Sequence, residues 1–352
     1  MLLPESLKLH DQGKYEFHYI YFLPWKNQLV EAIEQAGGKV ICFSASNNIK
    51  ILLRAWSIAR YVRENKIQLL HAHLPWAGFV GRLVHRITNV PLIYTEHNKQ
   101  ERYHFLTKVL NRFTFNWQSL AIAVSADVEN SIQKNIHASI PVKQVLNGVN
   151  TDFFVRSVSE GKAIRDKYSI SPETIVVGTI AVFRFQKRLK EWIDVFAEAA
   201  SHQPNIVGII VGDGPLKNVI INHIKKLKLS DKIILPGLQI EVRPWYSAMD
   251  IFMMTSVFEG LPVALLEAMS MECAVVTTDA GGVKEVITST EVGMMKPVED
   301  WKKLSDHLVR LSKDKNKRHT LGFSAREHIV KHFGMKRMVD EIENLYCKNF
   351  GC

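Results

Sequence analysis

The sequence predicts an α/β protein of two facing, doubly wound parallel-sheet domains with a cleft between them. Three observations predict it. Short apolar runs alternate with helical segments along the chain, the pattern that builds parallel sheets covered by helices. A length of 352 residues exceeds what one ordinary core organises and gives two domains of typical size. The loops that carry histidines follow the ends of strands, where open α/β sheets place their ligands.

Taken in chain order, residues 7–10 read as the end of a helix, and residues 17–23 and 39–43 as strands separated by a helical stretch at 27–36. Residues 51–65 carry Leu52, Trp56, Ala59 and Val62 at helical spacing. Residues 66–70 lead as a strand into the loop His71-Ala-His73-Leu-Pro-Trp76, and a strand at 92–95 ends at Glu96-His97-Asn98. The helix expected over 105–117 sets Phe105, Val109 and Phe113 beside Lys108 and Arg112. It reads as a core helix, with a membrane surface as its alternative partner. A polar stretch near 150–165 lacks periodicity and reads as a linker. The second series opens with a strand at 175–181 and continues with strands at 206–211, 233–235, 251–254 and 274–277. No Gly-x-Gly-x-x-Gly opens a helix, which counts against a dinucleotide oxidoreductase.

Composition is that of an ordinary globular protein, 47% hydrophobic and 23% charged. No apolar stretch is long enough to cross a bilayer, and the N-terminus lacks the basic and apolar regions of a signal peptide. Cys42, Cys273, Cys347 and Cys352 have no metal-ligand or CxxC spacing and are expected as free thiols of a cytoplasmic protein. The net charge of +10 is spread through short segments such as Lys225-Lys226 and Lys313–Arg318 with no nucleic-acid motif beside them. Solvated helix faces account for it, or attraction to the inner face of an anionic cell membrane; nucleic acid is not the expected partner.

The most informative segment is Glu259-Gly260-Leu261-Pro262-Val-Ala-Leu-Leu-Glu267-Ala-Met. Proline is tolerated only in the first turn of a helix, so Pro262 marks a helix start with Gly260 and Leu261 on its threshold. Free N–H groups and the positive end of the dipole make such a start an anion site. Two carboxylates around it suit a ligand with both phosphates and hydroxyls, as a nucleotide-sugar has. The spacing Glu-x7-Glu with Gly-x-Pro resembles the donor site of the retaining GT-B glycosyltransferases of family GT4. Asn147-Gly-Val149, Val211-Gly212-Asp-Gly214-Pro215, Leu235-Pro-Gly237, Asp250–Ser256 and Thr277-Thr-Asp-Ala-Gly281-Gly282 with Glu285 occur in that family's order.

The resemblance implies a GT-B architecture of two Rossmann-like domains, 1–157 on the acceptor side and 158–334 for the donor, with 335–352 returning to the first. It implies a retaining transfer of sugar from a UDP- or GDP-sugar to a carbohydrate or glycolipid hydroxyl in cell-surface polysaccharide or glycolipid synthesis. The nucleotide-sugar is a substrate, and neither cofactor nor metal is expected: no Asp-x-Asp occurs, and a cationic loop stands in for a divalent ion. Lys187 matches the family's diphosphate-binding lysine, and Arg184 is the candidate replacement for an arginine whose place Val182 holds. Gly260 and Leu261 complete the diphosphate site. Glu267 is the ribose ligand, and Glu259 and His97 are the catalytic candidates beside the donor sugar. Gly212, Gly214, Gly281 and Gly282 line the donor pocket; His73 and Trp76 stand on the acceptor side. One departure is expected to matter: the family's fold begins with a strand and a glycine-rich loop, and here that first strand is missing. Two other readings stand beside the transferase, a nucleotide-sugar 2-epimerase on the same fold and, because of the missing strand, a truncated, non-catalytic nucleotide-binding remnant.

Overall fold

The computed structural model describes residues 2–351. They form two compact units, one made of Met1–Asn147 with Met335–Cys352 and the other of Gly148–Gly334. The strands of the first are β1 (His18–Tyr21), β2 (Lys39–Cys42), β3 (Leu70–His73), β4 (Leu92–Glu96), β5 (Leu120–Ala123) and β6 (Val142–Gln144). Those of the second are β7 (Ile175–Ile180), β8 (Ile206–Val211), β9 (Ile233–Gly237), β10 (Ile251–Met254), β11 (Ala274–Thr278) and β12 (Met294–Lys296). All pair in parallel.

The second unit is one continuous sheet in the order β12-β11-β10-β7-β8-β9. Its central strands are apolar because helices cover both faces, leaving no side for alternating polar residues. Val177 and Ile251 pair across the middle of the sheet. Trp192, fully buried on the helix Leu189–His202, stacks on Phe196 and donates its indole N–H to the Met253 carbonyl at 2.9 Å.

The sheet of the first unit lies in two pieces, β1-β2 and β3-β4-β5-β6. Among the described residues no ladder joins β1 to β3, so a seam divides the two pieces. The helix Met335–Phe350 packs on the larger piece, where Met335, Met338, Val339 and Tyr346 meet Ile93, Leu120, Ile122 and Val145.

Several elements differ from expectation. Strand β3 begins at Leu70 and runs through His71 and His73, so the expected strand at 66–70 is displaced into the expected loop. The polar side chains in β3 are tolerated because His71 bonds to Thr95 and to Tyr346, both at 2.7 Å. The expected linker at 150–165 contains the helix Val158–Lys167, capped by Ser157, whose hydroxyl accepts from the Glu160 N–H. The helical stretch 51–65 is two helices, Asn48–Leu53 and Ala55–Glu64, joined at Arg54. The helix Phe105–Thr114 is not a core helix in the expected sense: it buries Thr107 and Asn111 and exposes Phe105 and Phe113 by 76% and 73%. Cys42 and Cys273 are free thiols, whereas Cys347 is disulfide-bonded, against the expectation of a free thiol there. Cys352 lies outside the described residues.

Candidate functional site

In the second unit the candidate residues gather at the C-terminal ends of β7, β8, β10 and β11. The loop after β7 is tied to the end of β10 by three hydrogen bonds. Thr255 donates its hydroxyl to the carbonyls of Lys187 and Arg188 at 3.2 and 2.9 Å, and the Val257 N–H donates to Gln186 at 2.8 Å. That anchoring fixes the direction of Lys187, whose Nζ lies 2.6 Å from Glu259 Oε1. The Ser256 hydroxyl donates to the same oxygen at 2.6 Å. Both partners are mostly buried, with side chains 21% and 11% exposed, so the attraction is screened less than in a surface pair.

Glycine is required beside this pair. Gly281 has φ +66°, and a Cβ there would lie 2.1 Å from the Glu259 carbonyl oxygen. The next residue, Gly282, donates its N–H to the Gly260 carbonyl at 2.9 Å. The loops after β10 and β11 thus close on each other around Glu259 and Gly260. Gly212 and Gly214 serve differently: they press on Ala181 and Phe183 at the base of the Lys187 loop. Arg184 is exposed, and Leu261 is buried.

Pro262 caps the helix Val263–Ser270 and does not occupy its first turn, so the helix starts one residue later than expected. Glu267, about one turn inside, is 8% exposed and accepts a 2.8 Å hydrogen bond at Oε2 from the Tyr246 hydroxyl. Burial raises the Glu267 carboxyl above its ordinary range, against the opposing pull of the Tyr246 bond. Tyr246 was missed by sequence reading. It lies on the separate helix Arg243–Ala248, and nothing local to it signals a carboxylate partner.

In the first unit, His73 Nδ1 and His97 Nε2 are 3.1 Å apart, and His71 stacks on His73 with ring centroids 4.4 Å apart. A hydrogen bond between two imidazoles needs one to donate and the other to accept, so the two rings are not both doubly protonated. Burial pushes His97 down to about 4, His71 to about 3 and His73 well below the ordinary histidine value. All three are neutral near pH 7. Trp76 stays apart from them, edge-on to Phe79 at 5.4 Å.

The loop that bears His97 is wrapped around Glu96, a fully buried carboxylate that sequence reading passed over as the end of a strand. Glu96 accepts from the Gln100 amide at 2.6 Å, the Asn98 N–H at 3.2 Å, the Tyr94 hydroxyl at 3.2 Å and the Tyr103 hydroxyl. Behind it Asn111 donates to Gln100 at 2.9 Å and accepts from the buried Arg82 at 2.9 Å. Burial raises the Glu96 carboxyl, while these donors pull it down. Among the described residues no group of three or more His, Cys, Asp or Glu side chains is placed to hold a metal ion.

Comparison with known proteins places the chain in a family. The family "Glycosyltransferase Family 4" matches residues 9–153 and the family "Glycosyl transferases group 1" matches residues 161–328. An N-acetyl-alpha-D-glucosaminyl L-malate synthase of Bacillus anthracis is 26% identical over 67% of this chain, a match that spans 61% of that protein. An Escherichia coli UDP-Gal:alpha-D-GlcNAc-diphosphoundecaprenol alpha-1,3-galactosyltransferase is 25% identical over 85% of this chain and 80% of its own length. Among solved structures, Anabaena HepE in complex with UDP and glucose superposes with a TM-score of 0.85 at 20% identity, covering 98% of this chain and 96% of that one. Sucrose-phosphate synthase from Thermosynechococcus elongatus gives 0.81 at 16% identity over 95% of this chain and 99% of its own. With the two matches together spanning nearly all of both units, the chain belongs to the group 1 glycosyltransferases, family 4 enzymes of the GT-B fold.

Proposed function

We propose that this glycosyltransferase moves a sugar from a UDP- or GDP-sugar to a carbohydrate or glycolipid hydroxyl with retention of anomeric configuration and without a metal. The observation that carries the reading is the Lys187–Glu259 pair set at the threshold of the helix Val263–Ser270. A leaving nucleoside diphosphate gains negative charge as the glycosidic bond breaks. Lys187 and the helix start meet that charge with a cation and with oriented N–H groups in a partly dry site. When a diphosphate takes Lys187, the Glu259 carboxylate is released to hold hydroxyls of the donor sugar and to favour a positively charged transition state. Glu267, held by Tyr246, takes the ribose hydroxyls; an ionised carboxylate can accept two. Arg184 adds a second cation for the diphosphate. Neutral His97 and His73 serve the sugar and the acceptor in the first unit. No side chain is needed as a covalent nucleophile if the departing phosphate oxygen takes the acceptor proton on the same face.

The relatives' names support the setting. The Escherichia coli relative acts on a diphosphoundecaprenol-linked sugar, and a relative from Acholeplasma laidlawii, 25% identical over 74% of this chain, is an alpha-monoglucosyldiacylglycerol synthase. Both names carry lipid-linked products, so the proposal includes a cytoplasmic enzyme working at the inner face of an anionic membrane. The test is a panel of nucleotide-sugars with lipid-linked and free acceptors. Transfer with retention by product NMR, insensitive to EDTA, is expected. Inversion, or activity lost to EDTA and restored by magnesium, would overturn the mechanism. Donor conversion without any acceptor would point to epimerisation instead.

A further inference from the structure

The helix Phe105–Thr114 is built inside out. Its inward side carries Thr107 and Asn111, which are buried, with Asn111 held between Arg82 and Gln100. Its outward side carries Phe105, Leu106 and Phe113, exposed by 76%, 52% and 73%, with exposed Arg112 beside them. Large apolar side chains cost free energy when held in water instead of buried. A helix that solvates its aromatics while burying its amides is therefore shaped for a second surface.

A second stretch has the same character. Ile49, Leu53 and Trp56 stand at helical spacing along Asn48–Leu53 and Ala55–Glu64 and are exposed by 70%, 69% and 72%. Exposed Lys50, Arg60 and Arg63 accompany them. Both stretches pack against the same helix, Pro75–Thr88. In the second unit the helix Lys315–His332 exposes Phe323 and Val330 by 50% and 49%, less than any of Phe105, Phe113, Ile49, Leu53 and Trp56.

We propose that this outward face of the first unit docks on an anionic lipid bilayer, with Trp56, Phe105 and Phe113 entering the headgroup region and Lys50, Arg60 and Arg112 meeting lipid phosphates. Charge decides for lipid over a protein groove: the apolar rows are bordered by cations, the composition of helices that lie in an anionic interface. Long basic side chains there cover apolar surface while keeping their charge at the headgroups. The inference deepens the membrane setting proposed above and names the surface; its test does not depend on the donor reading.

The full chain would be sedimented with phosphatidylcholine vesicles and with vesicles containing roughly 30% phosphatidylglycerol, at low and high salt. Binding only to the anionic vesicles, weakened by salt, is expected. Phe113→Glu combined with Trp56→Glu should lower partitioning at least tenfold, and Arg112→Glu with Arg60→Glu should do so while leaving every apolar residue in place. All these positions are solvent-exposed, and unchanged circular dichroism and nucleotide-sugar binding would verify the fold. Equal partitioning of the parent chain and both variants would overturn the surface. So would a self-association in solution that the same substitutions abolish, since the face would then belong to a second copy. Vesicle binding without donor binding would sink the donor reading alone; donor binding without vesicle binding would sink this one alone.

Discussion

The two units share a plan and differ at one place. In the second, the first strand in sequence, β7, lies at the centre between β8 and β10, and five of its six residues are buried. In the first, the sheet lies in two pieces, and β1 and β3 each bond to one neighbour among the described strands. All four residues of β1 are only partly buried, whereas β4 and β5, two strands further in, are buried throughout. Strand-forming residues alone therefore make local strands; it is a neighbour on each side that makes them interior. A row of backbone groups on each side of the seam lies outside the ladder.

The largest consequence should appear in hydrogen exchange. A two-stranded sheet is marginal by itself, and protection ranges from almost none up to the global stability. Amides of β7, β10 and β11 should exchange on the order of a thousandfold more slowly than those of β1 and β2. Equal protection in the two units would show that the seam is closed by other contacts.

The same contrast governs what the sequence revealed. Strands β8 and β10 are legible to the residue because burial on both faces leaves only continuous apolar runs, Ile206–Val211 and Ile251–Met254. Strand β3 was displaced because half of it is histidine, and the partner that tolerates His71 there, Tyr346, lies 275 positions away. Lys187, Glu259 and Gly281 were legible as motifs, and their mutual contact follows from loops at adjacent strand ends. Glu96 and Tyr246 were not, since each is defined by partners from other elements. The inversion of the helix Phe105–Thr114 was hidden because periodicity reports an apolar face without saying which way it points.

Function should divide along the same boundary. Lys187→Ala removes a charge-assisted contact and is expected to weaken nucleotide-sugar binding by roughly 1.5–3 kcal/mol in calorimetry. His97→Ala, in the other unit, should lower turnover while leaving nucleotide affinity within about twofold, since it would remove an interaction made only during reaction. If both variants lose donor affinity alike, the division fails. Affinity unchanged in Lys187→Ala would remove the diphosphate role altogether.

A pH titration sharpens the contrast. His10, His71, His73 and His97 in the first unit all have pKa values lowered chiefly by burial. As pH falls from the ordinary histidine value near 6.5, the unfolded chain takes up protons that the folded unit refuses until about 4 at His97 and about 3 at His71. Stability is therefore lost in that window, by up to about a factor of ten per pH unit for each such histidine. In the second unit only the half-buried His307 and His328 share that direction. Glu267 there and Glu96 in the first unit oppose it: a raised carboxyl pKa contributes stability below the unfolded carboxyl value and loses it as pH rises, so the contrast rests on the four histidines against two. Between about pH 7 and about pH 5 the first unit should melt earlier and the second change less, read by limited proteolysis with fragments assigned by mass. Parallel shifts in both would contradict the assignment.

The smallest effect concerns one hydroxyl. Tyr246→Phe keeps the ring in its packing against Phe154 and Phe252 and removes only the donor to Glu267 Oε2. A buried acceptor left unpaired costs about 1–3 kcal/mol, and relaxation toward a ligand hydroxyl would recover part of it. The more telling readout is the pH dependence of donor binding. The Tyr246 bond favours the charged carboxylate, whereas burial disfavours it, so removing the hydroxyl lifts an already raised pKa further. Glu267 in the variant then takes a proton at a higher pH than in the parent chain, and a protonated carboxyl has lost acceptor capacity for ribose. The affinity gap between variant and parent should widen as pH falls, for a ribonucleotide donor more than for its 2′-deoxy analogue. A gap that is constant with pH, or equal for the two sugars, would mean that Tyr246 supports the helix Val263–Ser270 without tuning the carboxylate it touches.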